Sequence, residues 1–170
     1  MARSIALAGT LVLLLGCARE RLSDEEVAHA WLARDCTVTG QRELETDLRS
    51  RGEALEKRFL VAFSAGPPSA SIEIVLANVD AIYKRRQDRL KTERIRKTSV
   101  EAIDAARNLS LADERRKARD RTDYNYRAAA VRGLAIIGRP EGMRLVRRVA
   151  ADRGSPYGPV ARYALEHLPK

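Results

Sequence analysis

Tyr126-Arg127-Ala128-Ala129-Ala130-Val131-Arg132-Gly133-Leu134-Ala135-Ile136-Ile137-Gly138 is the stretch whose reading decides the fold. Apart from Tyr126, Arg127 and Arg132 its residues are small or aliphatic and suit a helix packed closely on its neighbours. Ala130 and Gly133 let another helix approach, and Gly138 permits a left-handed cap. Pro140 then starts a new helix where no backbone donor is needed. That helix is expected over Glu141 to Ala151, on Met143, Leu145, Val146 and Val149. Asp152-Arg153-Gly154-Ser155-Pro156 turns the chain, and Tyr157 to Leu168 reads as a degraded second copy. With Tyr126 laid over Tyr157, Ala130 falls on Ala161, Gly133 on Ala164 and Leu134 on Leu165, an offset of 31.

From Tyr126 through Arg139-Pro140-Glu141-Gly142 the pattern resembles a HEAT-type repeat of the short bacterial kind. The second copy departs from the family at Gly158, where the repeat arginine would sit, at Pro159, and at Arg162, where a small residue is expected. It would therefore end the array, since terminal repeats are atypical. The resemblance implies an all-α fold, with helical hairpins stacked as a short HEAT-like α-solenoid or an irregular bundle. It also implies a surface for binding proteins rather than chemistry.

Upstream, Ser23-Asp24-Glu25-Glu26 is a capping box that opens a first helix to about Asp35, with Trp31 as a packing anchor. A second helix is expected from Gln41 to Ser64 on Leu44, Leu48, Leu55, Phe59, Ala62 and Phe63, interrupted by Gly52 and ended by Gly66-Pro67-Pro68. A third starts near Ser69 or Ser71 and keeps helical period through Ile72, Val75, Leu76, Val79, Ile82, Tyr83 and Leu90. Its basic end, Lys84 to Lys97, is either a helix projecting past the core or the basic face of a packed one. A fourth helix is expected from Ser99 to Asn108. Leu111 to Thr122 is nearly all polar and reads equally as an exposed helix or a charged linker.

The N-terminus sets the address. Met1-Ala2-Arg3 is followed by an uncharged run from Ser4 to Gly16 and then by Cys17. The apolar part is shorter than the ~20 residues that span a bilayer. Leu14-Leu15-Gly16-Cys17 resembles the box of bacterial lipoprotein signal peptides. The resemblance implies cleavage between Gly16 and Cys17, acyl chains on Cys17, and, with Ala18 next, the outer membrane facing the periplasm. The expected division is 1–16 signal peptide, 17–22 acylated tether, 23–122 N-terminal helical region and 123–170 repeat pair.

The chain carries a formal charge of +9, and 45% of it is hydrophobic but only 5% aromatic, so the core must be aliphatic. Charge is uneven. Arg19 to Phe63 has eight basic and ten acidic residues, whereas Lys84 to Lys97 has eight basic against Asp88 and Glu93. A basic chain usually points to nucleic acid, but an exported one meets little of it. The partners expected are the bilayer through Cys17, an unidentified envelope protein, and anionic lipid headgroups or lipopolysaccharide. The expected binding surface is Lys84, Arg85, Arg89, Arg144 and Arg148. If Cys17 is acylated, Cys36 has no partner within the chain; it is then a buried small residue or an intermolecular disulfide.

His29 and His167 sit in no ligand pattern, and no catalytic triad, phosphate loop or metal spacing is present. Glu25 and Glu26 are explained by capping, and Asp113 and Glu114 by a solvated segment. The expectation is a non-enzyme without cofactor: an envelope lipoprotein that binds or scaffolds a protein, with an anionic-surface binder as the alternative. A soluble enzyme or nucleic-acid module whose N-terminus imitates a signal is the third reading.

Overall fold

A 27-residue helix, Leu111–Ile137, is the axis on which the other helices pack. The structure, a computed structural model, describes residues 22–33, 38–92 and 110–167. These form α1 (Asp24–Ala33), α2 (Val38–Ser50), α3 (Gly52–Ala65), α4 (Ser69–Thr92), α5 (Leu111–Ile137), α6 (Pro140–Ala151) and α7 (Gly158–Glu166). The fold is all-α, a stacked helical bundle, and each of the other six helices touches α5. Gly16, Cys17, Cys36 and the helix expected over 99–108 lie outside the described residues.

The charged stretch 111–122 is helix, not linker. Ser110, in extended conformation at φ −80° and ψ 127°, accepts from the Asp113 N–H at 3.4 Å and opens it. The helix then runs unbroken through the 122/123 position at which the sequence reading divides the chain. At its far end Gly138 takes the left-handed conformation (φ 71°, ψ 10°) and donates its N–H to the Leu134 carbonyl. Pro140 then occupies the first turn of α6.

The core is aliphatic apart from Trp31 and Phe59. It gathers Val27, Trp31, Leu48, Leu55, Phe59, Leu134, Val146 and Ala161 from α1, α2, α3, α5, α6 and α7. Burying each of the larger side chains contributes about 1.5–3 kcal/mol. Gly133 makes this packing possible. A Cβ there would lie 3.0 Å from both Phe59 Cε1 and Trp31 Nε1, so the small residue read from the sequence is what admits two aromatic rings.

Two points at which the structure goes beyond the sequence reading have clear causes. The helix expected over Gln41–Ser64 is two helices, broken at Arg51 (φ −103°, ψ 9°). There the Arg51 side chain reaches away to Asp24 at 3.1 Å and to the Leu22 carbonyl, and Gly52 tucks against Ile137 and Arg139. The second concerns the basic stretch of α4. No residue of α4 enters the core cluster, and among the described helices α4 packs only on α5. Together α4 and the N-terminal half of α5 form an arm that stands outside the core, pinned by Arg115 and Asp80 at 3.7 Å.

The capping box forms as expected. The Ser23 N–H and hydroxyl donate to Glu26 Oε2 at 2.7 and 2.8 Å, and the Glu26 N–H donates to Ser23 Oγ at 3.2 Å. The backbone bond first, and the hydroxyl second, hold the Glu26 carboxyl below its usual range. Because the folded value is lowered, this stabilisation is present above the unfolded carboxyl pKa of about 4.3. It is lost as pH falls through the folded value. Glu26→Gln should therefore flatten the acid side of the stability profile, measured as thermal midpoint against pH. An unchanged profile would remove Glu26 from the account of α1.

Candidate functional site

A groove between α1 and α3, about 640 Å³ in volume, is a concave feature of the described surface. Its apolar wall comes from Ala28, Leu32, Val61, Ala62, Ala65 and Tyr126. Glu25 and His29 from α1, and Lys57 and Arg58 from α3, stand at its polar edge, while Gly66-Pro67-Pro68 closes one end. Val61 is 63% exposed, an aliphatic side chain left open to solvent at the edge of this apolar wall. An apolar trough with a few polar groups at its margin is the usual form of a binding site.

The groove is held in shape by polar side chains that close helix ends belonging to their neighbours. Arg127 donates to the Phe63 and Ser64 carbonyls at the end of α3, the latter at 2.9 Å. The Asp123 carboxylate grips the same guanidinium, with Nε 3.0 Å from each oxygen. Gly66, at φ 81°, cannot carry a side chain here: a Cβ would stand 2.7 Å from Arg127 Nη2 and from Asp123 Oδ1. Tyr157 stacks on Tyr124 with centroids 5.4 Å apart, meets Phe63 edge-on, and extends its hydroxyl to Asp123 at 3.5 Å. Burial pushes the Tyr157 phenol up, and the Asp123 carboxylate adds to the shift. Burial alone raises Tyr126.

At the other end of α3, Glu56 is the buried charged residue. Its Oε1 accepts from the Gly142 N–H at 2.7 Å, and its Oε2 accepts from Arg139 Nε at 3.3 Å. Arg139, the residue before α6, makes no side-chain cap of its own. A carboxylate from α3 thus serves as the missing cap, placed where the N-terminal dipole favours negative charge.

The residues singled out from the sequence are not brought together. Lys84, Arg85 and Arg89 are exposed on α4, Arg85 also donating to its own helix at the Ala81 carbonyl, 3.3 Å away. Arg144 and Arg148 are exposed on α6, which has no contact with α4. His29 lines the groove. His167 ends α7, its Nδ1 2.9 Å from the Tyr163 carbonyl and its ring stacked on Tyr163. Asp113 pairs with Arg116 at 2.8 Å. Among the described residues no group of three or more His, Cys, Asp or Glu is placed to hold a metal ion, and no single helix is long and apolar enough to cross a membrane.

Sequence reading did not find the groove or the Glu56 and Arg127 caps. Glu56 did leave a signal, because it stands beside Leu55 on the face that Phe59 and Ala62 bury. The groove left none, since it depends on how α1 lies across α3. Compared with family models, curated proteins and solved structures, the chain finds no match in any of the three. The fold and the surface define a class only: an all-helical bundle with a basic arm and one apolar trough described on its surface.

Proposed function

We propose that this chain is a bacterial envelope lipoprotein, acylated at Cys17, whose helical body is a non-catalytic module that binds another envelope protein. The observation that carries the binding half is the α1/α3 groove, apolar along its floor and open to solvent, with Val61 exposed at its lip. The address rests on Leu14-Leu15-Gly16-Cys17 and the basic and apolar segments before it. Arg144 and Arg148 contribute nothing to the groove, so the protein contact moves from those arginines to α1 and α3.

A photo-crosslinking residue at Val61 should give one discrete protein adduct in intact cells, and Ala65→Arg should abolish it. The same probe at Arg144 should give none. Absence of an adduct at Val61, or the same pattern at both positions, would remove the groove from the proposal. The anchor is tested separately by intact mass. A chain beginning at an acyl-modified Cys17, lost in Cys17→Ser, supports it; a chain retaining Met1 in the soluble fraction refutes it.

A further inference from the structure

The α4/α5 arm concentrates charge in a way the core does not. Across 84–90 and 111–121 there are nine Lys and Arg against four Asp and Glu. On α4 the outward line Ala70, Ile74, Ala77 and Ala81 lies opposite the face that packs on α5, and all four are exposed. Ile74 is 65% and Ile82 54% exposed, and Lys84, Arg85 and Arg89 follow on the same side. A helix with aliphatic side chains and a dense cluster of cations on its open face is built to lie in the boundary between headgroups and acyl chains.

The arm also sits at a telling distance from where the chain leaves toward Cys17. Leu22 is tied to Arg51, and Gly52 next to it packs on Ile137 and Arg139. The tether therefore leaves the body at the C-terminal end of α5. The basic arm is at the other end, ~40 Å away at 1.5 Å per residue. A tether of residues 17–22 spans at most ~20 Å. An orientation with α5 along the membrane would let anchor and arm meet the bilayer as two separate contacts.

We propose that the outward face of α4 is a second membrane contact that takes anionic phospholipid headgroups. The orientation along the membrane rests on acylation at Cys17; the headgroup contact does not. A lipid surface fits better than an acidic protein because the α4 cations share their open face with the exposed aliphatic side chains of Ile74 and Ile82, which an acyl boundary would take up. Each Lys or Arg near an anionic bilayer adds to binding, and the sum falls with salt. The pairing of one anchor with a polybasic patch is the general route to firm attachment.

The test uses the chain from Ala18 onward, which holds every described residue and the whole core, so that no acyl chain contributes. Binding to vesicles of phosphatidylglycerol and phosphatidylcholine should exceed binding to phosphatidylcholine alone by at least tenfold (about 1.4 kcal/mol), and should be reversed at high salt. Lys84→Gln with Arg85→Gln and Arg89→Gln should weaken it roughly 100-fold. Ile74→Ser with Ile82→Ser should weaken it roughly tenfold. Arg144→Gln with Arg147→Gln and Arg148→Gln removes the same charge from α6 and should leave binding nearly unchanged. Circular dichroism melts confirm that each variant is folded. Equal loss in both arginine sets would overturn the proposal, since net charge alone would then explain binding. So would equal binding to zwitterionic vesicles, or tighter binding to a duplex oligonucleotide. These outcomes are independent of the intact mass that tests the anchor.

Discussion

Trp31→Ala should lower the stability of the folded chain by about 4 kcal/mol, a drop in thermal midpoint on the order of 12 °C. Trp31 is 6% exposed and is the side chain through which α1 reaches α5. Its indole N–H donates to the Ala129 carbonyl at 2.8 Å, and the Arg132 guanidinium lies over its ring, 5.8 Å from the centroid. Alanine removes the packing, the hydrogen bond and the cation contact together. Trp31→Phe keeps most of the packing and should cost about 2 kcal/mol. The pair also tests Gly133. Gly133→Ala crowds the indole in the wild type, whereas with phenylalanine at position 31 one of its two 3.0 Å contacts is gone. The cost of the second substitution should therefore shrink in the double variant. Equal cost in both backgrounds would mean that Phe59 alone sets the limit at Gly133.

Glu56→Ala should cost about 3 kcal/mol. It leaves the Gly142 N–H inside the bundle without an acceptor and takes from Arg139 its closer carboxylate. Arg139 keeps only Glu53 at 3.5 Å, and Glu53 is largely exposed. Glu56→Gln retains an oxygen for Gly142 and should cost about 1 kcal/mol. Urea unfolding gives the magnitudes, and amide exchange gives the location. Protection should fall first at Gly142 and Met143 in the first turn of α6. A loss spread evenly over the bundle would show that Glu56 acts as general packing and not as the cap of α6.

The C-terminal half was legible because its signals are local. Gly138 needs a left-handed conformation, Pro140 needs a first turn, and the two lie two residues apart, with Pro140 opening the next helix. The capping box at Ser23 was legible for the same reason. What the sequence hid was long-range. The break at Arg51 was legible in place, since Gly52 marks it, but Asp24, the partner 27 residues away that the Arg51 side chain takes there, leaves no trace in the periodicity. The 111–122 stretch was ambiguous because its charges say nothing about α4, which supplies the surface on which it packs. The groove depends on the placement of α1 across α3, two helices whose own patterns would allow several crossings.

The borrowed cap on α6 also bears on how separable the molecule is. In a solenoid assembled from interchangeable units, each hairpin supplies its own helix starts and can be duplicated or transplanted. Here α6 depends for its first turn on a carboxylate 86 residues earlier in the chain, so the C-terminal pair is not a portable module. A fragment beginning at Tyr124 would expose the Gly142 amide and the underside of α5 at once.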